Sequence, residues 1–304
     1  MTSDEEATAP RYFGAVLSII RNLHTGSMTF VLPDGRRFDS KGAAPGPHGE
    51  IVVRNSDLFG RMIRDGEIGF AEAYMDGWWD TPDLQGLMDV VLLNNDNVGR
   101  GFPGQAFVRA YERLRHWMNR NSKSGSARNI SHHYDLGNQF YSAWLDETMT
   151  YSSALFQSNN ESLSQAQINK YASILDRMGV GENDHVLEVG CGWGGFAEYA
   201  AGVRGAKVTG ITISKEQHDF AKARMQREGL GDRVEIVMRD YRDEAGRYDG
   251  VASIEMFEAV GEKYWPGYFE MVKERLNPGA TASLQIITIA DEWFPSYRRG
   301  VDFI

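Results

Sequence analysis

The feature that most constrains this chain is the run Val186-Leu187-Glu188-Val189-Gly190-Cys191-Gly192-Trp193-Gly194-Gly195. Its apolar start reads as a buried strand, which breaks at once into a turn with no β-carbon at Gly190, Gly192 or Gly194. Missing β-carbons let a ligand lie against the backbone, and a helix is expected to follow. The spacing suits a dinucleotide, S-adenosylmethionine, or a turn that only closes a strand–helix joint. Two features favour S-adenosylmethionine. Glu188 precedes the turn, where a carboxylate attracts the ammonium of a methionine moiety. The next strand ends Gly210-Ile211-Thr212-Ile213-Ser214, without the acid that grips an NAD ribose. Glu216 is expected inside the following helix, and Cys191 reads as a small filler with no base to activate it.

Around this turn the chain alternates strand and helix. Val186 to Val189, Lys207 to Ile211, Val234 to Met238, Asp249 to Ile254 and Ala282 to Ile289 read as strands. Helical segments between most of them imply parallel pairing and right-handed crossovers, an α/β, Rossmann-like sheet flanked by helices. Earlier, Arg11 to Leu23 has helical spacing, Met28 to Leu32, Arg36 to Phe38 and Glu50 to Arg54 read as strands, and helices are expected from Ser56 to Leu93. The glycine- and proline-rich stretch Lys41 to Gly49 reads as a loop. This makes a small α+β unit. Gln105 to Arg120 reads as an amphipathic helix, with Phe107, Tyr111, Leu114 and Trp117 on one stripe and Arg109, Arg113, Arg115 and Arg120 elsewhere. Packing on a domain explains such a stripe, and so does a membrane surface. Asn119 to Asn129 reads as a connection.

Composition narrows the function. A net charge of −10 argues against nucleic-acid binding through global charge. A single cysteine cannot form an internal disulfide. The N-terminus, Met1-Thr2-Ser3-Asp4-Glu5-Glu6, is acidic where a signal peptide is basic, and no apolar run reaches the roughly 18 residues of a spanning helix. A cytoplasmic protein is expected, with any membrane contact peripheral and on the inner surface. The seven histidines show no metal-ligand spacing.

Further motifs carry a resemblance. Ser131-His132-His133-Tyr134-Asp135-Leu136-Gly137-Asn138, Trp144-Leu145-Asp146, Met149-Thr150-Tyr151-Ser152-Ser153-Ala154, the glycine turn, Thr212-Ile213-Ser214-Lys215-Glu216-Gln217, Asp240-Tyr241-Arg242-Asp243 and Met256-Phe257-Glu258-Ala259-Val260-Gly261 stand in order. Together they resemble the cyclopropane-fatty-acid synthase and mycolic acid methyltransferase family, and Gly69 to Trp79 resembles the N-terminal domain of its bacterial fatty-acid synthases. The resemblance implies three parts. Residues 1–100 would form a small α+β domain on the lipid side, and 101–130 the basic helix and linker. Residues 131–304 would be a class I methyltransferase domain whose sheet is incomplete at its C-terminal end, because family members continue beyond Ile304.

The resemblance also implies site residues. Tyr134, Tyr151 and Ser152 would close over S-adenosylmethionine. Gly190, Gly192 and Gly194 would lie along its methionine part, Thr212 and Gln217 near the ribose, and Tyr241 and Arg242 near the adenine. Aromatic faces and carboxylates suit a sulfonium cation. Family members methylate the cis double bond of an unsaturated acyl chain in a phospholipid, through a carbocation. That chemistry needs a dry pocket, an aimed methyl group and a base to remove a proton. In the family the base is a bound bicarbonate, and Glu258 matches the glutamate that helps hold it. Ser153 stands where many cyclopropane synthases have cysteine, and Gln285 where they have histidine, and a glutamine cannot titrate near neutral pH. Glu258, Gln285 and Ser153 are therefore the catalytic candidates, with cyclopropane and methyl- or methylene-branched products both open. A catalytically impaired lipid-binding adaptor and a methyltransferase for a soluble small molecule are the rival readings. The partners expected are an unsaturated phospholipid, a membrane surface and a second copy of the chain.

Overall fold

The computed structural model describes residues 9–95 and 137–298. The chain divides into two units, residues 1–118 with 290–304, and residues 119–289. The helix expected at Gln105 to Arg120, the following connection and Tyr134 lie outside the described residues.

In the first unit, α1 (Phe13–Ile20), α2 (Leu58–Met75) and α3 (Leu84–Leu93) accompany a four-stranded sheet. Its strands β1 (Thr25–Val31), β2 (Arg37–Lys41), β3 (Ala44–Val53) and β4 (Trp79–Asp80) run in the order β2-β1-β3-β4. β1 pairs antiparallel with β2 and parallel with β3. The core gathers Phe13, Phe30, Phe38 and Phe59, with Phe13 4.9 Å from Phe59 between ring centres. Trp79 is buried beneath, its Nε1 donating to the Phe70 carbonyl at 2.9 Å. The helical stretch expected through Leu93 is thus interrupted by β4.

The loop expected at Lys41 to Gly49 is instead mostly strand. Pro45 and Pro47 give no N–H to a ladder, and the register shifts between Thr25 and Ser27 to absorb them. Gly46 is there for close approach, since a β-carbon on it would lie 2.7 Å from Thr25 Cγ2. Tertiary pairing with β1 overrides the local turn signal.

The second unit is a five-stranded, all-parallel sheet in the order β7-β6-β5-β8-β9. Its strands are β5 (His185–Val189), β6 (Lys207–Thr212), β7 (Val234–Met238), β8 (Tyr248–Ile254) and β9 (Leu276–Gln285). The helices are α4 (Gly137–Ser142), α5 (Leu163–Met178), α6 (Gly195–Gly202), α7 (Lys215–Arg227) and α8 (Trp265–Arg275). β5, β6 and β8 are buried on both faces over most of their length, as a helix-covered parallel sheet requires. Val186 and Ala252 face the cluster built on α5, α6 and α7, whereas Leu187, Val189 and Val251 face the cluster of Phe257, Tyr268 and Met271. Period-two alternation therefore turns Glu188 to the α5 side.

β9 both begins and ends earlier than the expected Ala282 to Ile289. Leu276 already pairs with Tyr248, and Asn277 Nδ2 bonds Asp249 Oδ1 at 2.8 Å. Past Gln285 the Ile287 N–H is taken by Glu258, which withdraws it from the ladder. The strand order reverses at β5, whose neighbours are β6 and β8. Ligands of open α/β sheets bind in the crevice outside such a switch point.

Candidate functional site

The crevice is floored by the glycine turn. Gly190, Gly192 and Gly194 have φ of 81°, 53° and 84°, left-handed values that β-carbons resist. A β-carbon on Gly190 would lie 2.8 Å from Met256 Cγ, so this glycine admits the segment after β8. A β-carbon on Gly192 would meet no atom of the described residues within 4 Å. Gly192 therefore borders open space, which is what a bound molecule needs. Cys191 is buried and its thiol is pushed well up by burial, in keeping with a filler role.

Just before the turn Glu188 is 3% exposed, and among the described residues its Oε2 has no hydrogen-bond partner. Burial raises its carboxyl well above the ordinary range, opposed by the charges of Lys170 and Arg224. Lys170 is also buried, on the inner stripe of α5 with Ala166, Gln167, Tyr171 and Ile174. Burial pushes its ammonium down to about 8, opposed by Glu255, Asp146 and Glu188. Lys170 Nζ donates to Ser152 Oγ at 2.6 Å and to the Ser153 carbonyl at 3.0 Å. Gln167 Nε2 holds the Ser152 carbonyl at 2.9 Å. One face of α5 thus fixes the Ser152–Ser153 backbone.

Aromatic rings wall this side. Tyr151, 43% exposed, packs on Tyr141 and Trp144 at 5.5 and 5.4 Å between ring centres. Trp193 of the glycine turn is buried against Tyr141 and donates from Nε1 to Asn138 Oδ1 at 2.7 Å. Across the turn, Thr212 Oγ1 donates to Gln217 Oε1 at 3.0 Å and accepts the Ser214 N–H. Gln217 Nε2 keeps its donors unengaged by the described residues. Glu216 lies in the first turn of α7, as expected. Half-buried Tyr241 rests on Tyr268, its hydroxyl raised by burial, and Arg242 clasps Asp240 at 2.7 and 2.5 Å.

Two of the three catalytic candidates come together. Gln285 Nε2 donates to Ser153 Oγ at 2.9 Å and to the Ser153 carbonyl at 3.2 Å. Glu258 is exposed and accepts the Ile287 N–H. The bonds of Ser153 and Gln285 converge on Glu255, a residue the motif reading passed over. Glu255 Oε1 accepts from the Ser153 N–H at 2.9 Å, Ser153 Oγ at 2.8 Å and Gln285 Nε2 at 2.8 Å. Its φ of 47° places a non-glycine residue in left-handed backbone, at a cost of about 1–2 kcal/mol. Lys170 was also missed, although a lysine on the apolar stripe of α5 is a visible signal.

Among the described residues no group of three His, Cys, Asp or Glu is placed to hold a metal, and no helix is long and apolar enough to cross a membrane. The unpaired carboxylate oxygen, the open space at Gly192 and the aromatic wall fit a ligand with an ammonium and a second cationic centre.

Comparison with known proteins agrees. Residues 121–304 match the family model described as mycolic acid cyclopropane synthetase. The chain is 37% identical over 267 residues to the tuberculostearic acid methyltransferase UfaA1 of Mycobacterium tuberculosis, covering 82% of this chain and 60% of that protein. It is 35% identical to a probable fatty acid methyltransferase of Pseudomonas putida, covering 86% and 66%. It is 36% identical to the cyclopropane-fatty-acyl-phospholipid synthase of Escherichia coli K12, covering 78% and 59%. The chain thus spans less than two thirds of these relatives' lengths. Among solved structures, the mycolic acid cyclopropane synthase CmaA1 complexed with SAH and CTAB aligns with a TM-score of 0.52 at 25% identity, covering 56% of this chain and 60% of that one. The cyclopropane synthase MmaA2 of M. tuberculosis aligns at 0.53 and 25%, covering 58% and 62%. The α/β methyltransferase fold expected from the glycine turn is borne out.

Proposed function

The chain belongs to the mycolic acid cyclopropane synthetase family, and on that premise we propose that it is an S-adenosylmethionine-dependent C-methyltransferase acting on cis-unsaturated acyl chains of phospholipids. The observation that carries this reading is Glu188, a buried carboxylate with an oxygen unpaired among the described residues, two residues before a glycine turn that borders open space at Gly192. A ligand ammonium satisfies that oxygen, and no neutral ligand does so equally well. S-adenosylmethionine would supply an electrophilic methyl group on a sulfonium centre.

The remaining work falls to the chain. Tyr151, with Tyr141 and Trp144 around it, offers aromatic faces to a cation and keeps water away from it. Gln217 Nε2 offers a donor to a ribose hydroxyl, and Tyr241 a flat surface to an adenine. Tyr134 would close the same site from the N-terminal side. Lys170 and Gln167 hold Ser152 and Ser153 in place, so the wall is fixed before the ligand arrives. Residues 1–100 would serve the lipid side, and Arg109, Arg113, Arg115 and Arg120 would draw the chain to an anionic inner membrane surface.

The test is transfer of labelled methyl from S-adenosylmethionine to vesicles of cis-unsaturated phospholipid, read by mass spectrometry of the released acyl chains. Label in ring or branched chains supports the reading. Binding of S-adenosylhomocysteine with label only in a soluble acceptor would replace the substrate, and phospholipid binding without any transfer would favour the adaptor.

A further inference from the structure

We propose that Glu255 is a built-in proton acceptor at this site, its carboxylate occupying a cradle of donors. The inference rests on the methyl-transfer reading above.

The Ser153 N–H, Ser153 Oγ and Gln285 Nε2 all donate to one oxygen, Glu255 Oε1, at 2.8–2.9 Å. The other oxygen, Oε2, accepts nothing among the described residues. One half of the carboxylate is anchored and the other is left with its lone pairs. The anchoring residues, Ser153 and Gln285, are neutral and cannot take up a proton near neutral pH. Of these three side chains only Glu255 can accept one.

The fold aims this group. Glu255 follows β8 directly, and its own N–H bonds the Gln285 carbonyl at 2.9 Å, tying it to the end of β9 as well. The next residue, Met256, lies against the position where Gly190 lacks a β-carbon, so Glu255 is held beside the glycine turn. The carboxylate therefore stands at the switch-point crevice of the sheet, where the methyl donor is placed by the reading above.

The step balances within the reactants. The alkene π electrons take the methyl group, the donor leaves as S-adenosylhomocysteine, and a carbocation remains. Glu255 Oε2 takes a proton from the transferred carbon: with the cation on the neighbouring carbon the released C–H pair closes a ring, and after a 1,2-hydride shift has moved the cation to the methyl-bearing carbon it forms a methylene double bond. The carboxylic acid then returns its proton to water. No oxidant or reductant enters. A saturated branch needs a hydride donor and is not part of the proposal. With the acceptor built in, turnover needs no bicarbonate from solution.

The experiment uses the full chain with Glu255→Gln, which keeps the shape, and Glu255→Gly, which suits the left-handed backbone. Wild type should methylate vesicles at the same rate in carbonate-depleted and bicarbonate buffer. Glu255→Gln should lose about a hundredfold or more in kcat, the scale of general-base catalysis, while S-adenosylhomocysteine binds as before. Formate or bicarbonate should restore turnover to Glu255→Gly, a rescue that a purely structural tie would not show. Dependence of wild type on bicarbonate, full activity of Glu255→Gln, or absence of rescue would overturn the proposal. Should wild type bind S-adenosylhomocysteine yet transfer no methyl, the parent reading fails instead. The cradle is then judged by binding of carbon-13 formate, followed by NMR: binding to Glu255→Gly but not to wild type supports it, and none to either overturns it.

Discussion

Glu188, the penultimate residue of β5, has a buried carboxylate oxygen that accepts nothing from the described residues, whereas Glu255, one residue past β8, takes three donors on a single oxygen. The two strands are parallel neighbours, so the two acids stand at the same end of the sheet. Their surroundings set different tasks. A carboxylate buried without donors is costly until a cation arrives, and it favours a charged ligand group. A carboxylate clasped on one side is already oriented, and only its second oxygen is available for chemistry. Lys170 senses both acids, and its bonds to Ser152 and Ser153 tie the two halves of the site together.

The largest effect is expected from filling the space at Gly192. Gly192→Val places branched carbons where no atom of the described residues lies within 4 Å and forces a left-handed φ of 53° on a β-branched residue. Binding of S-adenosylhomocysteine, followed by calorimetry, should fall below detection, and unchanged affinity would show that the turn holds no ligand. A smaller effect is expected from Glu188→Gln. Loss of a charge-assisted bond weakens binding by about 1.5–3 kcal/mol, a tenfold change or more. The unliganded fold should be as stable or more so, because the buried carboxylate is itself a cost. Burial holds the wild-type carboxyl above its ordinary value, and a cationic ligand beside it favours the ionised form. Affinity should therefore weaken as pH falls, and this dependence should vanish in Glu188→Gln.

A pH-dependent effect, confined to alkaline conditions, concerns Lys170. Its ammonium sits at about 8 in the folded chain against 10.5 ordinarily. Between those values the unfolded chain binds a proton that the folded chain does not. This group therefore makes stability rise with pH from about 8 to about 10.5 and adds no slope below that window. Urea midpoints of Lys170→Met should lack that rise, worth up to a few kcal/mol. An unchanged slope would show that the ammonium is not held in a dry environment.

These two acids were unequally legible in the sequence. Glu188 was visible because a strand, an acid and a glycine turn lie within ten residues and each has a local signature. The cradle of Glu255 was not, because its partners lie far away in the chain. Ser153 is 102 residues from Glu255 and 132 from Gln285, and no periodic pattern spans such gaps. A left-handed glutamate is also invisible to propensity, since that conformation is imposed by the neighbours that bind it. The same physics explains β3. Its glycines and prolines spell a loop locally, and pairing with β1 makes it a strand. The helical stripe of α5 carried Lys170 in plain view, but the lysine's role emerges only when Ser152 is brought beside it.

The most direct test of the central claim is calorimetry of the intact chain with S-adenosylhomocysteine and with NAD. A one-to-one complex should form with S-adenosylhomocysteine, and NAD should give no heat of binding. Binding of NAD in its place would contradict the assignment of the glycine turn and of Glu188 before it.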